Sequence, residues 1–143
     1  MTVLLPFAAP RSSEARRVAP PPTARGVLVV EDEDEIRTFA EHVLRSHGFD
    51  VVSASDGLSA LERLEQRRAD IGVVLLDLSM PRMTGDEVFR RMRDAGPLPR
   101  VVLTSGYPSS EATAAFVPGE LSGFLHKPYD AETLLAKVRE ALG

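Results

Sequence analysis

The chain has no cysteine and no tryptophan. Without cysteine there is no disulfide framework, no thiolate metal site and no thiol nucleophile, a composition that suits a reducing compartment. Aromatic residues make up only 6% against 43% hydrophobic overall, so aliphatic side chains must fill the core. No apolar run approaches the roughly 20 residues that span a bilayer. The initial Val3-Leu4-Leu5-Pro6-Phe7 is apolar but short, broken by proline and preceded by no basic residue, which speaks against a cleaved secretion signal. Glycine-rich phosphate loops of the Gly-x-x-x-x-Gly-Lys and Gly-x-Gly-x-x-Gly types are missing, and so is the Gly-x-Ser-x-Gly elbow of serine hydrolases. The histidines His42, His47 and His126 are too scattered for a metal triad.

What is present is one domain's length, 143 residues, with a formal net charge of −4. That charge is uneven. Residues 1–25 hold Arg11, Arg16, Arg17 and Arg25 against Glu14, a balance of +3, and leave −7 for the remainder. An acidic body of this kind argues against direct nucleic-acid binding, and nothing points to a membrane. Pro6, Pro10 and the triple proline at 20–22 give residues 1–25 the composition of a disordered Pro/Arg-rich leader or linker. Folded structure is expected over 26–143.

Within that region apolar strand-like runs alternate with helical periodicity. Val27–Val30, Phe49–Ala54, residues 71–77, Arg100–Thr104 and Gly123–Lys127 read as strands. Between and after them lie helical patterns: Ile36 to Leu44 ending at His47-Gly48, Leu58 to Arg68, Val88 to Ala95, a short helix from a Ser109 or Ser110 cap through Phe116, and a last helix capped by Asp130. The unbroken run Val73-Val74-Leu75-Leu76 suits a strand buried on both faces. Five βα units predict an α/β fold, a doubly wound parallel five-stranded sheet with right-handed crossovers.

In such a sheet ligands bind beyond the carboxyl ends of the strands. Four of the five strands end in a polar residue there: Glu31 and Asp32, Asp77, Thr104 and Lys127. Singly, each is an ordinary turn or cap residue. Jointly they form a chemically complete set. Three carboxylates in one cleft require a cation, and Mg²⁺ favours oxygen ligands of this kind. Asp77 can then act as a carboxylate nucleophile towards a phosphoryl group, with Lys127 spreading the charge and Thr104 donating its hydroxyl once the phosphoryl has arrived. Lys127-Pro128 is in addition a candidate cis peptide.

The segments Val-Leu-Val-Val-Glu31-Asp32-Glu-Asp-Glu-Ile-Arg, Val-Val-Leu-Leu-Asp77-Leu-Ser-Met-Pro-Arg-Met-Thr-Gly, Val-Val-Leu-Thr104-Ser-Gly-Tyr and Gly-Phe124-Leu-His-Lys127-Pro-Tyr resemble, in order and spacing, the receiver domain of two-component response regulators. The wording of the last two is similar to receiver modules of hybrid sensor kinases. The resemblance covers about residues 26–143. It implies a flavodoxin-like sheet of order 2-1-3-4-5, Mg²⁺ held by Asp32, Asp77 and the Ser79 backbone carbonyl, and phosphotransfer to Asp77 from a sensor histidine kinase or histidine phosphotransfer protein. It further implies that Thr104 and Phe124 reorient as a switch, in a cytoplasmic signalling protein that is no enzyme beyond its own phosphorylation and dephosphorylation. A homodimer on phosphorylation is a further partner this reading admits. No output domain is expected in the chain.

Three departures stand out. Glu31 replaces the commoner aspartate of the acidic pair, and its longer arm ranks it below Asp32 as a metal ligand. Ser79 and Gly106 offer no acid or amide to hold an attacking water. Phe116–Leu121 departs from the usual approach to the last strand. The alternative function is a Mg²⁺-dependent aspartate-nucleophile phosphatase of small phosphoesters. Such enzymes need a second acid two residues after the nucleophile, where this chain has Ser79.

Overall fold

The computed structural model describes residues 25–143. The leader expected over 1–25 therefore lies outside the described residues except for Arg25. The elements run β1 (Gly26–Val30), α1 (Asp34–Ser46), β2 (Asp50–Ala54), α2 (Gly57–Arg67), β3 (Ile71–Asp77), α3 (Gly85–Ala95), β4 (Arg100–Ser105), α4 (Ser109–Ala112), β5 (Gly123–His126) and α5 (Ala131–Leu142). The sheet has five strands in the order β2-β1-β3-β4-β5, and every pairing is parallel. This is the fold class and strand order the sequence led us to expect.

Alternation along each strand sends side chains to two cores. Leu28, Val30, Val74, Leu76, Val101 and Leu103 pack with Leu64, Val88, Phe89 and Met92 from α2 and α3. Val27, Val29, Val73, Leu75 and Val102 pack on the opposite face with Val43 and Leu44 of α1 and with Leu134, Leu135 and Val138 of α5. All seven residues of β3 are buried, as expected of a central strand covered on both sides. Asp56 and Asp130 cap α2 and α5 by accepting the amides of Ser59 and Thr133, each at 2.8 Å.

One expected element is shorter than its sequence pattern. The helix predicted through Phe116 stops at Ala112, and neither Ser109 nor Ser110 caps it, since Pro108 occupies the N-cap position. Tertiary contacts take the following residues instead. Phe116 turns edge-on to Phe89 of α3 at 5.2 Å between ring centroids. Glu120 accepts the Val117 amide at 2.7 Å and the Arg93 guanidinium at 3.1 Å. Segment 113–121 is thus strapped to α3. The last strand ends at His126, which leaves Lys127 as the first residue beyond it. The Lys127–Pro128 peptide is cis.

The carboxyl ends of the strands are held in line by the backbone. Asp77 and Thr104 are register partners. The Leu78 amide donates to the Thr104 carbonyl at 2.9 Å, and the Lys127 amide to the Ser105 carbonyl at 2.8 Å. The turn after β3 closes when the Gly85 amide donates to the Leu78 carbonyl at 2.9 Å. A Cβ on Gly85 would lie 2.6 Å from the Asp77 carbonyl oxygen and 2.7 Å from Leu78 Cα, so only glycine fits there. Both obstacles are backbone and cannot swing aside. Gly85→Ala is expected to cost about 1–3 kcal/mol of stability by overpacking, measured by urea denaturation, with the site loop displaced. A midpoint equal to wild type would show that the turn relaxes freely.

Candidate functional site

Asp77 is the last residue of β3 and only 1% exposed. Its Oδ1 accepts the Ser79 amide at 3.1 Å and lies 3.3 Å from Lys127 Nζ. Glu31 follows β1 and is 2% exposed. Its Oε1 accepts from Lys127 Nζ at 3.0 Å and its Oε2 from the Glu33 amide at 3.2 Å. Asp32 is half-buried, and its carboxylate joins those of Glu31 and Asp77 in a cluster whose oxygens lie within 4.8 Å of one another. Lys127 Nζ also comes within 3.8 Å of the exposed Glu33 carboxylate. Four residues from the ends of three strands, up to 96 positions apart, thus meet in one crevice. The cleft above them, about 530 Å³, is lined by Glu33, Ile36, Ser79, Gly106, Tyr107, Lys127 and Pro128.

The electrostatics follow from burial and mutual repulsion. Burial pushes the Glu31 carboxyl up to about 7, helped by the charge of Asp77 and opposed by its bond to Lys127. Burial likewise raises Asp77, against the pull of Lys127 and the Ser79 amide. For Lys127, burial works to lower the pKa, but the bond to Glu31 and the field of Asp77 outweigh it and hold the ammonium above its ordinary value. The half-buried Tyr129 hydroxyl is pushed up by burial and then by the same two carboxylates. When ionised, three carboxylates against one ammonium leave a formal −2. The donor set is all oxygen, so a hard divalent cation such as Mg²⁺ fits both its charge and its chemistry.

Thr104 is 2% exposed beside Asp77. Among the described residues its hydroxyl has no hydrogen-bond partner. Ser79 is exposed at the rim of the cleft. Phe124 stands apart from the crevice. It is half-buried against the core on the α2/α3 side, with its ring centroid 6.5 Å from that of His126. Glu31 is more deeply buried than the half-buried Asp32, and its longer side chain bonds to Lys127 Nζ at 3.0 Å. Arg37 had no assigned role, yet its Nη1 donates to the Glu31 carbonyl at 2.9 Å. The only sequence signal for it is an arginine six residues after Glu31, at the end of the acidic segment. Among the described residues no helix is long and apolar enough to cross a membrane.

Comparison with known proteins agrees with this geometry. The sequence matches the response regulator receiver domain over residues 27–139. It is 36% identical over 117 residues to the sensor kinase CckA of Brucella abortus, a match covering 81% of this chain and 12% of that protein. It is 38% identical over 117 residues to the response regulator MprA of Mycobacterium leprae, covering 81% of this chain and 50% of the other. The structure of the chemotaxis protein CheY4 of Vibrio cholerae is similar with a TM-score of 0.75 at 30% identity, covering 83% of this chain and 99% of that one. The chain belongs to the response regulator receiver domain family, and it spans half or less of the length of these two curated relatives.

The buried acids make stability depend on pH in a definite direction when no cation is bound. Glu31 titrates near its ordinary 4.5 when unfolded and at about 7 when folded. The folded state therefore keeps its proton longer, and this contribution is full below about pH 4.5 and lost as pH rises through about 7. Asp77 acts with the same sign. Asp56, Asp86 and Asp130, all held below their ordinary 3.8, act oppositely but only at the acid end. The Tm of the cation-free protein is expected to fall between about pH 5 and pH 8, and Glu31→Gln to remove much of the slope. A flat or rising Tm over that range in wild type would contradict the assignment.

Proposed function

We propose that the chain is a phosphorylation-switched receiver in two-component signal transduction, with Asp77 as the phosphoacceptor. The observation that carries this reading is a buried Asp77 carboxylate in contact with the Lys127 ammonium and clustered with two further acids. The donor is the phosphohistidine of a sensor histidine kinase or histidine phosphotransfer protein. An Asp77 carboxylate oxygen attacks phosphorus, the P–N bond of the donor breaks, and the departing imidazole nitrogen takes up a proton. The Ser79 amide and Lys127 hold Asp77 in place for attack, and Lys127 remains to meet the charge on the transferring phosphoryl. Mg²⁺, when bound by Asp32, Asp77, the Ser79 carbonyl and the neighbouring Glu31, would supply charge neutralisation at the phosphoryl oxygens.

Thr104, with its hydroxyl unengaged among the described residues, donates to the new phosphoryl group. Phe124 on the adjacent strand responds by repacking, so that modification shifts an existing equilibrium between two surfaces. Residues 26–143 form the switching unit and 1–25 serve as a tether. The reading places the protein in the cytoplasm and leaves a phosphorylation-driven homodimer as one output.

The test is incubation with Mg²⁺ and a small phosphodonor, followed by mass spectrometry. One added phosphoryl group on Asp77 is expected, and none in Asp77→Asn. An adduct that persists in that variant would overturn the assignment, and sustained turnover of phosphoesters would favour a phosphatase. Exposed Ser79 and Gly106 at the cleft offer no acid or amide to hold a hydrolytic water in line. The phosphoryl group is therefore expected to last minutes or longer by radiolabel decay, and a half-life of a few seconds would contradict this.

A further inference from the structure

Two of the three clustered carboxylates sit on a loop that belongs to neither strand nor helix. These are Glu31 and Asp32, which with Glu33 link the end of β1 to the start of α1. The loop is held by bonds of its own. The Glu31 amide donates to the Ala54 carbonyl at 3.1 Å, and the Glu33 amide donates to Glu31 Oε2 at 3.2 Å. From the first turns of α1, Arg37 reaches back over the same loop. Its Nη1 donates to the Glu31 carbonyl at 2.9 Å and its Nη2 to the Asp34 carboxylate at 2.5 Å.

The pair with Asp34 does not explain why Arg37 lies there. Asp34 is 85% exposed, and helical pairs of this spacing contribute only a few tenths of a kcal/mol. Yet the Arg37 side chain itself is 19% exposed. What the guanidinium reaches by lying inward is the Glu31 carbonyl, and a bond from a charged donor to that carbonyl is stronger than a neutral one. The carbonyl lies in the peptide plane joining Glu31 to Asp32. With that plane tied to Arg37, and the Glu31 carboxylate tied to Lys127 at 3.0 Å, the direction in which the chain delivers Asp32 is set.

We infer that Arg37 is a positioning residue for the acidic cluster: it fixes the Glu31–Asp32 peptide so that the Asp32 carboxylate faces Asp77, and Mg²⁺ binding weakens without it. This rests on the reading of the cluster as a divalent-cation site. The inference has a sign that simple electrostatics does not share. Deleting a positive charge beside three carboxylates leaves the site more negative, so charge alone would tighten cation binding. Loss of position does the opposite. Lysine keeps the charge but cannot reproduce the two-armed fork, so it separates the two effects.

The experiment is titration of Mg²⁺ into the full chain by isothermal titration calorimetry, with the cation-free Tm recorded alongside. Arg37→Ala is expected to bind Mg²⁺ on the order of tenfold more weakly than wild type, in the range seen when residues supporting metal ligands are removed. Arg37→Lys should fall between the two with a Tm near wild type. In the phosphodonor reaction the variants should need more Mg²⁺ but approach the wild-type rate at saturation, a split that a general loss of folding would not produce. Wild-type or tighter affinity in Arg37→Ala overturns the inference while the cation site stands. If the alanine variant does not fold, the same outcome in Arg37→Lys decides. Failure of wild type itself to bind Mg²⁺ overturns the cation-site reading, and the role of Arg37 with it.

Discussion

A carboxylate taken out of water normally gives up its charge unless a partner offsets the loss of hydration. Here two such groups, Asp77 and Glu31, are buried together and share one ammonium, that of Lys127. One cation does not balance them, still less the half-buried Asp32 beside them. The imbalance is the source of the site's chemistry. It adds to the burial that lifts the Glu31 carboxyl to about 7, holds Lys127 protonated, and leaves a place for positive charge to enter. A buried ion pair of this kind adds little to stability by itself. The apolar sheet beneath must carry that cost.

The sheet does so by its topology. A central strand buried along its whole length gives Asp77 a rigid base, while β4 beside it and the residue after β5 bring Thr104 and Lys127 level with it. The acidic loop after β1 completes the ring from the other side. Small constraints then matter more than their individual energies suggest. Gly85 allows the turn after Asp77 to lie against the nucleophile's own backbone, and Arg37 ties down the peptide that leads into Asp32.

Away from the crevice the chain departs most from regular architecture at α4. A single helical turn is followed by a strap that Phe116 and Glu120 fasten to α3. Phe116 and Leu121 of this segment pack, as Phe124 does, against the core cluster on the α2/α3 side of the sheet.

Much of this was legible in the sequence because it is local. Val73–Leu76 announces a doubly buried strand, Asp56 and Asp130 announce their helices by cap chemistry, and Asp77, Thr104 and Lys127 mark strand ends because polar residues there interrupt apolar runs. The resemblance supplied the strand order, which periodicity alone leaves open. What the tertiary structure decided is whatever depends on residues distant in the chain. The helical pattern expected through Phe116 stops at Ala112, and the half-buried Phe116 ring meets Phe89, 27 positions earlier in the chain, edge-on. Spacing cannot show that Glu31 is deeper than Asp32 or that it meets a lysine 96 positions away. Arg37 is silent for a related reason. Its acceptor is a backbone carbonyl, which every residue has, and only the folded loop shows which one it meets.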